Sequence, residues 1–296
     1  MVWELQIRQR PFVDISCYLM TPLSYILTRQ RSWAERHRKP LSKDYLLSLN
    51  DNLFAPLSEA TVAEFSEADG NELRPRMGAP AKMRALRSSS ALAVNVFQYW
   101  RIRDLRTLCK ACRIPSAGAD SLRFEALSPI AVSVDRRVFP RDPNIDVVFN
   151  YSGTRLRQVA IESKFAEAYD SHEGIRPAYL HHKALWEALP NCLRLAERTA
   201  SPGSNFGIDY AQLLKHVLGL KNGCGIGRFW LVYAWYATPS VATAMHQEQL
   251  DEFQEILAAD GIRFCSITYQ DIIGRLISTA GPEHRAYVSY LVERYL

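Results

Sequence analysis

Three residues of the types that act on phosphate esters lie close together in the chain: Asp146 in "NIDVVF", and Glu162 and Lys164 in "VAIESKF". Both runs otherwise read as buried β-strands, where ionised groups are costly unless something compensates them. Strand side chains alternate between faces, so Val159, Ile161, Ser163 and Phe165 point one way and Ala160, Glu162 and Lys164 the other. The same rule sets Asp146 opposite in sense to Ile145, Val147 and Phe149. If the two strands pair antiparallel with Asp146 facing Ala160 or Glu162, the three charges converge. Two converging carboxylates repel each other unless a cation lies between them. A hard divalent ion with oxygen ligands suits that place, Mg²⁺ first and Mn²⁺ as its substitute. Lys164 would then orient or help deprotonate an attacking water and offset negative charge in the transition state. The chemistry expected is phosphodiester hydrolysis. The competing reading is a Glu162–Lys164 surface pair on an edge strand with Asp146 solvated. Against it, both strands are apolar on their other face. Register is decisive, because a slip of one residue turns Asp146 away.

The elements that must position these residues can be read outward from them. A run of short β-branched segments, "RFEALSPIAVSV", "NIDVVF" and "QVAIESKF", predicts a β-meander. Before it, "SSSALAVNVFQYW" through Cys112 predicts one long helix or two shorter ones, with the serines at 88 to 90 as N-cap. After it comes an insertion over 166–206 with a helix expected around Tyr179 to Arg198. An amphipathic helix follows in "GIDYAQLLKHVLGL", with Tyr210, Leu213, Leu214, Val217 and Leu218 on one face and Gln212, Lys215 and His216 on the other. "RFWLVYAWY" reads as a strand covered on both sides. A helix ending at Gly261, a last strand "IRFCSITY" and two C-terminal helical segments complete the chain. The part up to about residue 80 reads as a mostly helical N-terminal extension to a domain spanning 81–296.

An Asp on one strand and Glu-x-Lys on the next, with a helix before and a helix–strand pair after, resembles the PD-(D/E)xK nuclease superfamily. More closely, "SSSALAVNVFQYW", "RFE" (123–125), "PNID" (143–146), "IESKFAE" (161–167) and "YAQLLKHVLGL" (210–220) together resemble a bacterial group of restriction endonucleases within it. The resemblance runs from about Ser88 to the end. It implies an α/β fold with a mixed central sheet flanked by helices, in α-β-β-β-α-β order. It also implies Mg²⁺ held by Asp146 and Glu162 with the Ser163 carbonyl, Lys164 as base or electrostatic helper, Glu125 as an additional acid near the metal, and DNA as the partner. Two departures stand out. Pro143 lies three residues before Asp146 rather than next to it. Gln212 sits where some relatives carry Gln followed four residues on by Tyr, and here that later position is His216.

Bulk properties are compatible with this but do not demand it. The chain has 296 residues, 48% of them hydrophobic, and a net charge of +5 that permits a polyanionic partner without requiring one. Phosphate-facing rows are offered by Arg101, Arg103, Arg106, Lys110 and Arg113, and by the patch from Arg29 to Lys39; a solvated helix face is the plainer reading of the patch. His172, His181 and His182 read as surface histidines that could flank the site. Cys17, Cys109, Cys112, Cys192, Cys224 and Cys265 sit in scattered contexts, and "MVWELQIRQRPF" lacks the features of a signal peptide, so a reduced cytoplasmic protein is expected. Cys109-x-x-Cys112 has no second pair at zinc-like spacing, and "GCGIG" at 223–227 precedes a strand, the wrong context for a dinucleotide loop. The longest apolar run, Phe229 to Ala237, is about half of the ~20 residues that span a bilayer. Two function classes remain: a Mg²⁺-dependent endonuclease acting on DNA, and a nuclease-like fold that binds nucleic acid or serves assembly without catalysis. A homodimer is among the assemblies left open.

Overall fold

The computed structural model describes residues 20–68, 70–130, 142–200 and 205–296, with 205 and 206 described in backbone only. Cys17, the stretch 1–12, the 131–134 end of the first strand run and 201–204 of the insertion lie outside the described residues. Five strands form the central sheet: β1 (Ala119–Leu127), β2 (Asn144–Tyr151), β3 (Gln158–Lys164), β4 (Phe229–Trp235) and β5 (Arg263–Thr268). They lie in the order β1-β2-β3-β4-β5. The first three are antiparallel neighbours, and β3-β4 and β4-β5 are parallel. The sheet is therefore mixed and β3, which carries Glu162 and Lys164, is its middle strand.

Helices cover both faces. One face packs against α1 (Pro22–Arg36), α2 (Glu59–Glu67), α3 (Ser89–Phe97), α4 (Leu105–Ala111), α9 (Tyr269–Thr279) and α10 (Arg285–Tyr295), through residues such as Phe65, Leu92, Leu108, Ile272 and Leu291. The other packs against α5 (Pro177–His181), α6 (Pro190–Arg198), α7 (Tyr210–Cys224) and α8 (Val241–Ala259), through Tyr179, Leu195, Leu213 and Phe253. Ser88 caps α3 by accepting from the Ala91 N–H, as its sequence suggested. The helical stretch ending near Cys112 is two helices, α3 and α4. The insertion is more broken than expected: the segment from Tyr179 to Arg198 is a short α5, a 3-10 turn over Lys183–Trp186 and then α6. Pro190 explains the break, because it cannot continue a helix already running but fits the first turn of a new one. The α8 helix stops where Gly261 takes φ +72°, a backbone that other residues adopt at a cost. Gly223 to Gly227 form the turn into β4, with Gly225 and Gly227 at positive φ.

The N-terminal helices share the C-terminal core. Arg294 on α10 is buried and donates to Gln30 Oε1 on α1 at 3.0 Å, to the Asn52 carbonyl at 2.7 Å and to the Tyr290 hydroxyl at 2.6 Å, with Asn52 Oδ1 as a fourth acceptor. Its guanidinium also lies 4.1 Å from the Trp33 ring centroid. The expected basic row on the early helices is largely occupied. Arg101 pairs with Glu64, whose other contact is the Phe124 N–H, Arg103 stacks on Tyr99, and Arg106 pairs with Asp104. In the Arg29–Lys39 patch, Arg31 pairs with Asp44 and Lys39 with Asp51. These partners account for part of the row and part of the patch.

Candidate active site

The register brings the sequence candidates together. Val148 opposes Ala160 and Val147 opposes Ile161, the last pair of the ladder, which ends one residue short of Asp146 and Glu162. Asp146 is half-buried, and its Oδ2 accepts from the Ser163 N–H at 2.6 Å. Glu162 is 1% exposed and Lys164 9% exposed, far from a solvated edge pair, and the Lys164 ammonium lies 2.7 Å from Glu162 Oε1.

Alternation does not hold through the whole of β1 and β2. Leu122 and Phe124 pack into one core, yet Ala126 packs into the other. On the paired strand Phe149 and Val147 belong to the first core and Ile145 to the second. The expectation that Ile145 shares a face with Val147 is therefore corrected. The reversal falls at Glu125, which has φ +48°, and at Asp146, the two residues between the ladder pairs Phe124–Val147 and Ala126–Ile145. A left-handed non-glycine residue inside a strand stores strain, on the order of 1–3 kcal/mol, and such strain gathers at functional sites. Here it turns the chain at the point where two acids must leave the regular pleat.

The α7 helix supplies what holds the pair. Asp209 caps it by accepting from the Gln212 N–H at 2.8 Å. A side chain at Gly219 would meet the Ser128 carbonyl at 2.4 Å, so glycine there permits the helix to sit close to the end of β1. One helical turn then aims two groups at β3. Gln212 Oε1 accepts from the Lys164 ammonium at 2.6 Å, and His216 Nε2 lies 2.8 Å from Glu162 Oε2. On the opposite face of β3, the Ser163 hydroxyl meets the buried Tyr269 hydroxyl at 2.5 Å. Glu162 is thus gripped at both oxygens. The role of His216 was visible only as a residue four positions after Gln212, and Tyr269 gave no signal in the sequence. His172 faces Asp209 Oδ2 at 3.4 Å, while His181 and His182 are exposed on the insertion.

The electrostatics are unbalanced toward acid. Burial would raise the Glu162 carboxyl, but Lys164 and His216 outweigh it and hold the group at about 2. Burial opposes charge on Lys164 as well, and Glu162, with Tyr233 and Asp146 behind it, reverses this and lifts the ammonium above its ordinary range. Asp146 goes the other way: burial, then the charges of Glu162 and Glu125, push it well above the carboxylate range, against Lys164 and the Ser163 N–H. Burial, Glu72 and Glu162 push Glu125 to about 8. Lys164 neutralises one carboxylate and leaves Asp146 and Glu125 uncompensated. Among the described residues no three His, Cys, Asp or Glu side chains form a ready-made metal cage. The donor set nonetheless fits a hard cation that takes one or two carboxylates and keeps its waters, with Asp146 as the accessible ligand. Cys109 and Cys112 are buried and free, and burial pushes both thiols up. No helix among the described residues is long and apolar enough to cross a membrane.

Searches of curated proteins and of solved structures give no match. A family model described as Restriction Endonuclease associating with ARP matches residues 25–296, which takes in all five strands and all three charged residues at the centre of the sheet. The mixed sheet with its flanking helices is consistent with that match, and the chain belongs to this restriction-endonuclease-like family.

Proposed function

We propose that the protein is a Mg²⁺-dependent endonuclease of the PD-(D/E)xK type that hydrolyses phosphodiester bonds in DNA. The observation that carries the reading is the buried Glu162–Lys164 pair on the middle strand with the surplus carboxylate Asp146 beside it. Asp146 and Glu162 would hold the metal, with the Ser163 carbonyl as a third oxygen and Glu125 as an acid at its margin; Mn²⁺ would substitute. When bound, the metal supplies Lewis-acid stabilisation of the phosphate and of the leaving oxygen. The chain's own groups do the rest. Lys164, kept charged by Glu162, orients the attacking water and offsets charge building on the phosphate. Gln212 fixes the direction of the ammonium, and His216 fixes the Glu162 carboxylate.

One observation favours a second reading, a nuclease-like module that binds nucleic acid without cutting it. The Glu162 oxygens already face Lys164 and His216, so the carboxylate is held in place by the chain's own groups without a metal. Plasmid and single-stranded DNA incubated with the purified protein in Mg²⁺, Mn²⁺ or chelator separate the two. Metal-dependent cutting that disappears in Glu162→Ala and Lys164→Ala is expected. Wild-type cutting by Glu162→Ala would remove the assignment, and binding without cutting in either metal would establish the second reading.

A further inference from the structure

The concavity beside the site is formed by two parts of the chain that are far apart in sequence. The insertion contributes Glu173, Ile175, Arg176 and Tyr179, and α7 contributes Ala211 and Lys215, around a volume of about 590 Å³. Its chemistry differs from that of the other basic clusters. Arg101, Arg106, Arg31 and Lys39 are each matched to a carboxylate. Lys215 and Arg176 line one pocket and feel each other's charge, and among the described residues neither forms an ion pair. Two acids share the pocket: the charge of Asp209 favours the Lys215 ammonium, more than Arg176 opposes it, and Glu173 lies close to Arg176 in the sequence. Asp209 is committed to the α7 cap and to His172, and Glu173 is exposed. Lys215 is half-buried on the helix that carries Gln212 and His216, close enough to Glu162 and Lys164 to feel both. Burial lowers its affinity for a proton, a cost that an adjoining anion would relieve.

We infer that Lys215 and Arg176 form a phosphate subsite, which holds a backbone phosphate next to the scissile one and makes the insertion part of the substrate channel. The subsite rests on the nuclease reading for its neighbour but not for its own ligand, a nucleic-acid phosphodiester. Two cations in one pocket fix where a strand lies and leave its sequence unread. The insertion thereby gains a role: it supplies Arg176 and one wall of the pocket.

The test is binding of a short fluorescent oligonucleotide, single-stranded and duplex, by Glu162→Gln protein in chelator across a salt series. Lys215→Ala and Arg176→Ala should each weaken binding several-fold and reduce the slope of log affinity against log salt by ~0.7–0.9, as expected for one lost phosphate contact. Arg176→Glu, at an exposed position, should weaken it further. Arg285→Ala, exposed on α10 across the sheet, should leave the slope unchanged. Affinity and slope indifferent to Lys215 and Arg176 would overturn the subsite, even if the protein cuts DNA. A protein that binds through these two residues and never cuts would keep the subsite and remove the nuclease reading instead.

Discussion

Among the described residues, Arg294 and Lys164 are buried cations, and they are compensated in opposite ways. Arg294 is surrounded by neutral acceptors, Gln30, Asn52 and Tyr290, and by the rings of Trp33, Tyr290 and Tyr295, with no carboxylate among its hydrogen-bond partners. Lys164 sits against Glu162 in a cluster that still has two acids left over. The first arrangement is complete: it ties α1 and the Asn52 turn to α10 and asks for nothing more. The second leaves two acids whose charge is met either by their own protons or by a further cation. The difference separates a buried ion that holds a fold from one that belongs to a site, and burial alone would not have distinguished them.

The largest effect expected from breaking this comparison is on the Lys164 side. Lys164→Ala and Glu162→Ala should reduce DNA cleavage by ~10³-fold or more, the scale of losing a group that stabilises transition-state charge. Both should also lower stability, since removing one member of a buried pair leaves the other uncompensated; circular dichroism at the assay temperature checks that the loss is not unfolding. Arg294→Ala should do the reverse. It strands several buried acceptors and should cost about 3–5 kcal/mol in denaturant unfolding, with little change in cleavage per folded molecule.

A smaller effect with the opposite sign is expected from the surplus acids. A carboxyl whose folded pKa lies above its unfolded value binds protons more readily when folded, so it takes stability away as pH rises between the two. For Glu125 that window runs from about 4.5 to about 8. Glu162, held at about 2, works the other way, giving stability above 4.5 that is lost as pH falls toward 2. Without metal, Asp146→Asn and Glu125→Gln should therefore raise the melting temperature near neutral pH by about 2–4 °C for each kcal/mol recovered, while abolishing or weakening cleavage. A drop in melting temperature would mean that these acids are structural. The smallest effect sharpens the contrast at the surface. Arg103→Ala removes a cation that stacks on Tyr99 at 3.7 Å, and should change oligonucleotide affinity less than Lys215→Ala does.

How much of this was legible in the sequence follows from how local each feature is. Glu162 and Lys164 sharing a face required only alternation within one strand, and the antiparallel β2–β3 ladder supplied the rest. The order of strands and helices around them was also local, since each element carries its own periodicity and stops. The reversal at Glu125 was not legible, because no glycine or turn residue marks it; the positive φ exists only because β1 and β2 turn together. Pro190 did mark the break in the insertion, yet the helical composition on either side concealed it. The Arg294 hub was out of reach for another reason: Gln30 lies 264 positions away, and nothing local in "LVERYL" says that its arginine is buried. The helical Gln212 and His216 stood in view, but which β3 charge each would meet depends on how closely α7 approaches the sheet at Gly219.

The most direct test of the acidic surplus as a cation site is a calorimetric titration of Mg²⁺ into the wild-type protein and Asp146→Asn near neutral pH, in two buffers of different ionisation heat. Asp146 and Glu125 hold protons more tightly than ordinary carboxyls, so saturable binding should release protons, and both the binding and the release should be lost in Asp146→Asn. No Mg²⁺ binding, or binding of equal strength in Asp146→Asn, would contradict a metal site at the end of the Glu162–Lys164 pair.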